Sequence, residues 1–153
     1  MAVEESLILV KPDGMARSLT GNILTEMAKL DFDIVAAKIV KVDKELAEEH
    51  YASLRDKPFF DGLVRYLMGG FHRKQKVMAL VYRGEDAIQK VRDLIGNTNP
   101  NEANPISIRG KFGRIREVES GEAIFENVLH ASSCPEDAER EINLWFRKEE
   151  IID

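Results

Sequence analysis

Four short apolar runs, separated by segments with helical spacing, constrain the fold of this chain more than any other feature. The runs cover residues 5–11, 34–42, 77–82 and 122–130. Runs of this length suit buried strands and are too short to span a bilayer. Their order allows a split β-α-β plan with an antiparallel sheet or a small doubly wound parallel sheet. The spacing of the apolar residues does not separate these two architectures.

Helical spacing predicts at least one helix between successive runs. The predicted helices cover 20–30, 44–54 after the N-cap residue Asp43, a short stretch around 63–67 that stops at Gly69-Gly70, a stretch from Gly84 to the C-cap residue Gly96, and a segment opened by the capping-box pattern Ser133-Cys134-Pro135-Glu136. Residues 97–109 show neither the helical nor the strand spacing of apolar residues, which predicts a long loop. Such loops are often functional, and a solvated crossover is the alternative. Because no repeat or linker interrupts the pattern, we predict one domain over residues 1–153.

Composition and charge exclude several classes of protein. Apolar residues make up 44% of the 153 residues, which is enough to fill a core and unlike a disordered chain. The net charge of −5 provides no general basic surface, so we expect no nucleic-acid partner. The N-terminus lacks the apolar block of a signal peptide, Ala2 is incompatible with N-myristoylation, and the single Cys134 fits a reducing compartment. We therefore expect a cytoplasmic protein without a membrane partner.

His130 is the histidine best placed for chemistry. It ends the fourth apolar run directly before a helix, a position from which a side chain projects into a cleft. Glu141 lies on that helix at the edge of its apolar face, and Ser132 lies at the helix start. A carboxylate that holds one imidazole nitrogen leaves the other as a nucleophile, although Glu141 is alternatively a solvated helix residue. We interpret His50 as a packed or surface-edge residue and His72 as a surface residue in a basic turn.

Basic residues gather where they suit a small anionic ligand. Lys11 ends the first run, Arg92 lies on a predicted helix, and Arg109, Lys111 and Arg114 are interspersed with glycines. Glycine allows close approach of the backbone, and the arginine guanidinium matches phosphate oxygens. The sequence contains no G-x-x-x-x-G-K-[ST] loop and no carboxylate pair with convincing metal spacing. We therefore predict no metal-ligating residue, and a magnesium ion that takes part would accompany the substrate phosphates.

Six further segments follow one another in an informative order. They are Val10-Lys11-Pro12-Asp13-Gly14, Pro58-Phe59-Phe60, Gly96-Asn97-Thr98-Asn99-Pro100, Ile108-Arg109-Gly110, Asn127-Val128-Leu129-His130-Ala131-Ser132 and Ala138-Glu139-Arg140-Glu141-Ile142. Together they resemble the nucleoside diphosphate kinases, and the resemblance extends from about residue 5 to about residue 146. It implies an α/β (α+β) fold, a ferredoxin-like sandwich in which helices pack on a four-stranded antiparallel sheet.

The resemblance also implies an activity, a cofactor and an assembly. The activity is ping-pong transfer of the γ-phosphate of ATP or another nucleoside triphosphate to a nucleoside diphosphate, with broad base specificity. The implied cofactor is Mg2+, and the implied assembly is a homo-oligomer, with a hexamer favoured and a tetramer as the alternative. Two other hypotheses are a non-catalytic regulatory module that binds nucleotide and a nucleic-acid binder that uses the basic segments 73–76 and 109–116.

The resemblance assigns one group of residues to the travelling phosphate. His130 matches the nucleophile that becomes phosphohistidine. Lys11, Arg92, Thr98 and Arg109 match the family's phosphate-binding positions. Broad base specificity follows because contacts to phosphate read nothing of the base.

A second group of residues surrounds the first. Tyr51 matches the residue near the catalytic histidine, and Phe59 matches the aromatic residue that stacks on the base. Asn127 matches the residue that reaches the ribose hydroxyl and the lysine. Ser132 and Glu141 match the pair that orients the histidine.

The chain departs from the family pattern in three places. It reads His130-Ala131-Ser132-Ser133 where the family usually reads His-Gly-Ser-Asp. An acidic insertion at 117–122 resembles a hairpin, and the turn at 72–76 is extended. Strict alternation in the fourth run would place Asn127 and His130 on opposite faces. Both reach one site only if the strand ends or bulges near Val128.

Overall fold

The computed structural model describes residues 2–118, 121 and 123–153. The strands in these residues are β1 Val3–Val10, β2 Asp33–Val40, β3 Val77–Glu85, β4 Arg114–Glu117, β5 Ala123–Glu126 and β6 Leu129–Ala131. The α-helices are α1 Pro12–Ala16, α2 Thr20–Met27, α3 Lys44–His50, α4 Phe60–Leu67, α5 Ala87–Ile95, α6 Ile108–Phe112 and α7 Pro135–Trp145. Within this part of the chain, no helix has the length and apolar character that crossing a bilayer requires.

The central sheet is antiparallel throughout, with the strand order β2-β3-β1-β6. β1 pairs with β3 from Val3 opposite Glu85 to Val10 opposite Met78, and it pairs with β6 through Leu9 opposite His130. This pairing excludes the parallel alternative and confirms the α+β sandwich with a four-stranded antiparallel sheet. The register also places His130 close to the end of the central strand β1.

Helices cover both faces of the sheet, so β1 is buried on both sides. Leu7 and Leu9 pack in the cluster formed with α3, α4 and α7, whereas Ile8 and Val10 pack in the cluster formed with α2, α5 and α6. This double burial explains why the first run is continuously apolar and not alternating. β1 ends inside the core. The polar residues that follow it, Lys11 and Asp13, are therefore buried.

Two short helices, α1 and α6, lie where the sequence predicts a turn and a loop. α1 contains Pro12 and Gly14, and α6 follows the irregular segment 97–107. The side chain of Ser107 caps α6 by accepting a hydrogen bond from the Gly110 nitrogen at 3.1 Å. Five-residue helices leave too few turns for helical spacing to be visible. The predicted helices over 20–30 and 44–54 instead end in 3-10 turns.

The prediction of one strand over 122–130 is wrong. Residue 122 lies outside the described residues, and the rest divides into β5 and β6 around Asn127 and Val128. Val128 has φ of +63°, in the left-handed region that β-branched residues rarely adopt. This residue breaks the alternation, so Asn127 and His130 can face the same site.

The predicted helix caps have different outcomes. Asp43 caps α3 as predicted, because its carboxylate accepts a hydrogen bond from the Leu46 nitrogen at 2.8 Å. Gly96 ends α5 as predicted, with φ of +88°. The predicted capping box of α7 is wrong, because Cys134 is the N-cap and makes no side-chain cap. Ser133 instead accepts a hydrogen bond from the Arg92 guanidinium at 3.2 Å.

The insertion after α6 forms the predicted hairpin, in which β4 pairs with β5 from Arg114 opposite Glu126. Residues 119, 120 and 122 of the predicted insertion lie outside the described residues. The prediction of His72 as a surface residue is wrong, since its side chain is 5% exposed. Its Nε2 lies 3.0 Å from the buried carboxylate of Glu126, which also accepts from Arg114 at 3.0 Å. This contact joins the two segments in which the chain departs from the family pattern.

Candidate active site

His130 lies in β6 with its side chain 17% exposed. Its Nε2 is 3.0 Å from Oε1 of Glu141. Since a carboxylate accepts hydrogen bonds, this contact assigns the ring proton to Nε2 and leaves the lone pair on Nδ1. Nδ1 is therefore the nitrogen that can attack an electrophile.

Glu141 is held from both sides on the buried face of α7. Its Oε1 also accepts a hydrogen bond from the Ser132 hydroxyl at 2.8 Å, and that hydroxyl accepts one from the Leu7 nitrogen at 3.0 Å. Burial raises the pKa of the Glu141 carboxyl, but the hydrogen bonds from His130 and Ser132 outweigh it, so the pKa is lowered overall. The carboxylate stays ionised, and β1 fixes its position through Ser132.

The surroundings of His130 keep its ring neutral at neutral pH. Burial lowers the pKa of His130 and is the largest cause. Glu141 opposes this change, whereas the positive charges of Lys11 and Arg109 add to it, and the pKa is lowered overall. A neutral imidazole is the nucleophilic form.

Lys11 and Asn127 meet beside His130. The Lys11 ammonium donates to Oδ1 of Asn127 at 3.0 Å, and the Asn127 amide donates to the backbone carbonyl of Thr98 at 3.0 Å. Burial and the charge of Arg109 lower the pKa of Lys11 to about 7, while Asp13 opposes the change. A buried cation of this kind gains strongly from an incoming anion.

Arg109 is also buried, and its guanidinium lies next to the strand that carries His130. Its guanidinium donates to the carbonyl of Leu129 at 2.8 Å and to that of Gly96 at 3.1 Å. Its Nε has no hydrogen-bond partner among the described residues. Burial, helped by the charge of Arg92, lowers the pKa of Arg109 to about 10, so it stays protonated. The contact with Leu129 ties this cation to the residue that precedes His130.

The remaining predicted residues lie at the edge of this group. Arg92 is exposed on α5, next to Ser133, and Thr98 is exposed with its carbonyl held by Asn127. The buried Tyr51 hydroxyl has no partner in the described part of the chain, and burial raises the pKa of Tyr51 well above its usual value. Phe59 precedes α4 and is 53% exposed, so one ring face is available to a ligand.

Sequence reasoning missed Asp13, which is fully buried in α1. One of its carboxylate oxygens accepts from the Tyr66 hydroxyl at 2.5 Å, and the other accepts from the Val128 nitrogen at 3.1 Å. The backbone nitrogen of Lys11 in turn donates to the backbone carbonyl of Val128 at 2.8 Å. These bonds hold the left-handed residue that aligns Asn127 with His130. The signals in the sequence are a polar residue close to the end of a buried strand and its place in the segment Val10-Lys11-Pro12-Asp13-Gly14.

The described residues contain one group with the composition of a metal site, namely His50, His130 and Glu141, whose ligand atoms lie within 4.8 Å of one another. Glu141 already accepts two hydrogen bonds at one oxygen. His50 accepts another from Trp145 at 3.1 Å. These contacts account for the cluster as a hydrogen-bonded unit.

Comparison with known proteins identifies the family of this site. The family profile described as nucleoside diphosphate kinase matches residues 4–151. The chain belongs to the nucleoside diphosphate kinase family. A nucleoside diphosphate kinase of Bacillus licheniformis is 42% identical over 151 residues, covering 99% of this chain and 93% of the relative. A nucleoside diphosphate kinase of Thermus thermophilus is 42% identical over 150 residues, covering 98% of this chain and 100% of the relative.

Solved structures of nucleoside diphosphate kinases share the fold. The Borrelia burgdorferi enzyme with bound vanadate and ADP, a transition-state mimic, has a TM-score of 0.87 at 33% identity and covers 99% of this chain and 91% of its own. The Halobacterium salinarum enzyme in complex with CDP has a TM-score of 0.85 at 38% identity and covers 99% of this chain and 93% of its own. Membership of the nucleoside diphosphate kinase family supports transfer of phosphate between nucleotides and confirms the resemblance read from the six segments.

Proposed function

We propose that the chain transfers the γ-phosphate of a nucleoside triphosphate to a nucleoside diphosphate through a phosphohistidine on Nδ1 of His130. The observation that carries this proposal is the contact between Nε2 of His130 and the ionised Glu141, which leaves Nδ1 with its lone pair. Buried cations on Lys11 and Arg109 accompany it. A fixed nucleophile with adjacent positive charge is the arrangement that phosphoryl transfer requires.

In the first half-reaction, the lone pair of Nδ1 forms the bond to phosphorus. The bond from phosphorus to the bridging oxygen breaks, and its electron pair leaves with the nucleoside diphosphate. The imidazole gains positive charge as this happens, and the Nε2 proton stays in its hydrogen bond to Glu141, whose negative charge stabilises the ring. The second half-reaction reverses these changes toward another diphosphate.

The cations bind and neutralise the phosphate oxygens in this proposal. Arg109 and Lys11 are held in place by backbone and amide contacts, so little side-chain freedom is lost on binding. Arg92 and Thr98 complete the phosphate site from the exposed side, and the Tyr51 hydroxyl remains protonated as a hydrogen-bond donor.

The substrate class in this proposal is ATP and other nucleoside di- and triphosphates. The exposed ring of Phe59 offers a stacking surface for any base, since every base has a π face. We propose that Asn127, which accepts a hydrogen bond from Lys11, also reaches a ribose hydroxyl. We infer broad base specificity from the small part that the base plays in these contacts.

The nucleotide-binding kinase family to which the chain belongs is consistent with a divalent cation, and we propose that the cation is Mg2+ bound to the substrate phosphates. The carboxylates of Glu141, which contacts His130, and of Asp13, which contacts Val128, are both occupied by hydrogen bonds. Ser133 stands where the family usually has aspartate. We therefore infer that the ion would arrive with the nucleotide and neutralise phosphate charge.

We also propose a cytoplasmic homo-oligomer, with a hexamer favoured over a tetramer. Ile34 and Ile39 lie exposed on β2, the edge strand of the sheet, and Ile106 is exposed in the segment before α6. We propose these exposed apolar side chains as parts of the subunit contacts. That residues 1–153 form a single domain stays a prediction.

The wild-type protein tests the proposed function directly. Incubation with γ-labelled ATP and Mg2+ is expected to give an acid-labile, base-stable label on the protein. Addition of an unlabelled diphosphate should remove that label and produce labelled triphosphate. Binding of nucleotide without label would favour the regulatory module instead. Affinity for duplex or single-stranded nucleic acid that falls steeply with salt would favour the nucleic-acid binder, although family membership favours neither alternative.

We expect the Glu141→Ala variant to fold and to form the phosphoenzyme up to about 10⁴-fold more slowly, which is the order of loss when the carboxylate that fixes the tautomer of a catalytic imidazole is removed. Removal of the carboxylate frees Nε2 of His130, so the ring loses its fixed tautomer and the negative charge that stabilises it. Rapid-quench measurement of label formation checks this rate. Glu139→Ala is the matched control, because Glu139 is exposed on the same helix. An unchanged rate in Glu141→Ala would remove this residue from the mechanism.

We expect nucleotide binding at pH 8 to take up a proton at Lys11. The pKa of Lys11 is about 7 in the free protein, so the side chain is mostly neutral at pH 8. Bound phosphate favours the charged form and raises this pKa, so uptake is expected at pH 8 and should be small at pH 6. Calorimetry of ADP binding in buffers with different ionisation enthalpies measures it. Lys11→Met should abolish the uptake, whereas Lys44→Met, an exposed control, should not.

A further inference from the structure

A second imidazole lies against His130. His50 ends α3, is almost fully buried, and has its ring centroid 4.5 Å from that of His130 with an angle of 82° between the planes. This is an edge-to-face contact, so His50 restricts the rotation of the catalytic ring. The proposed phosphoryl transfer gives His50 no direct role.

Trp145 fixes the tautomer of His50. The indole Nε1 lies 3.1 Å from Nδ1 of His50. An indole nitrogen can only donate, so Nδ1 must accept, and the neutral ring carries its proton on Nε2. That Nε2 is buried and has no hydrogen-bond partner within residues 2–118, 121 and 123–153. Protonation of His50 would require a proton on Nδ1 and would break the bond from Trp145.

The helix α7 holds both imidazoles at once. Glu141 and Trp145 are four residues apart and therefore lie on the same face of the helix. Glu141 binds His130, and Trp145 binds His50. Arg140 adds a tie to α3, because its guanidinium donates to the carbonyl of His50 at 3.3 Å. One helix therefore sets the distance between the two rings.

The charged groups that face His50 also favour its neutral form. Burial lowers the pKa of His50 well below its usual value, and the positive charges of His130, Lys11 and Arg140 act in the same direction. Glu141 is the nearby carboxylate, and its Oε1 is occupied by His130 and Ser132.

We propose that Trp145 adds to burial in keeping His50 neutral, because it occupies Nδ1 of that ring, and that the neutral His50 ring positions His130 for attack. This inference rests on the proposed function, because it concerns the charge that the His130 ring gains as the bond from Nδ1 to phosphorus forms. A proton on His50 would place a second positive charge against that ring and oppose the reaction. His50 is therefore a positioning residue, and Trp145 maintains the charge state in which it can act.

The Trp145→Phe variant tests the proposal. Phenylalanine keeps an aromatic ring in the core but removes the N–H, which leaves Nδ1 of His50 able to accept a proton. Burial still opposes protonation of His50 in this variant, so we expect phosphoenzyme formation close to that of the wild type at pH 8 and slower than that of the wild type at pH 6, because a like charge at this distance is unfavourable. The acidic limb of the pH profile should therefore move to higher pH. Ile142→Val, a conservative change on the same helix, should leave that limb in place.

The double variant Trp145→Phe/His50→Phe decides whether the effect passes through His50. Without a titratable ring at position 50, the additional loss at pH 6 should disappear. A shift of the acidic limb that persists in the double variant would overturn the proposal. A Trp145→Phe profile that coincides with the wild type at every pH would overturn it as well.

A spectroscopic measurement keeps the inference separate from the proposed function. Nitrogen NMR of the wild-type protein should show His50 as the neutral tautomer with its proton on Nε2 from pH 5.5 to pH 8. In Trp145→Phe, the same ring should begin to take up a proton at a higher pH than it does in the wild type. Observation of protonated His50 in the wild type at pH 6 would overturn the inference whether or not the protein forms a phosphoenzyme. A wild-type protein that never acquires label, but has neutral His50, would overturn only the proposed function.

Discussion

The His130→Ala variant is expected to acquire no covalent phosphate from γ-labelled ATP. Its exchange of phosphate between nucleotides should fall by at least about 10⁴-fold, because the loss of a covalent nucleophile removes the reaction path and not only one contact. ADP binding should persist, since Lys11 and Arg109 keep their own hydrogen-bond partners. Intact mass, label retention and calorimetric titration measure these three properties on the same preparation.

The chain offers a matched control for this variant. His72 also pairs with a buried glutamate at 3.0 Å, but its partner Glu126 belongs to the hairpin strand β5. We expect His72→Gln to retain the label, because the pair is not part of the phosphate site. An acid-labile label of undiminished amount on His130→Ala would show that another residue is the nucleophile.

The order of strands and helices could be predicted because each core element is long enough to show its period. β1 and β3 each contain a continuous apolar segment, residues 7–10 and 77–82, and α5 and α7 place their apolar residues three and four positions apart. α1 and α6 could not be predicted in this way, because five residues do not complete two turns. Whether the strands pair parallel or antiparallel could be predicted only from the family resemblance, since the pattern of buried residues does not determine which strands pair or in which direction.

Site residues whose contacts are close in the sequence could be predicted, and those whose contacts are distant in the sequence could not. Glu141 and Ser132 are 11 and 2 residues from His130, and the spacing of one strand end and one helix indicates both. The contact between His72 and Glu126 spans 54 residues, and nothing in the sequence near His72 indicates a buried partner. The left-handed Val128 was also hidden, because valine is a poor choice for that conformation and surrounding contacts impose it.

Asp13→Ala is expected to cause the largest loss of stability among the site variants. Removal of the carboxylate leaves the Tyr66 hydroxyl and the Val128 nitrogen buried without acceptors. At about 1–3 kcal/mol for each unsatisfied donor, the free energy of unfolding should fall by about 2–6 kcal/mol. Chemical denaturation monitored by circular dichroism measures this change. Asp43→Ala is the matched control, because that aspartate caps an exposed helix end and its loss should cost about 1 kcal/mol.

The same variant links stability to chemistry, because Asp13 supports the residue that aligns Asn127 with His130. The hydrogen bond from the Val128 backbone nitrogen to Asp13 stabilises φ of +63° at Val128, and this variant lacks it. Relaxation of Val128 toward ordinary strand geometry would turn Asn127 away from Lys11. Loss of the carboxylate also removes the charge that raises the pKa of Lys11, so less of this lysine is protonated at neutral pH. We therefore expect the folded fraction of Asp13→Ala to bind ADP more weakly than wild type. Equal affinity would show that Val128 keeps its conformation without Asp13, and would assign the strain to the packing of β6 instead.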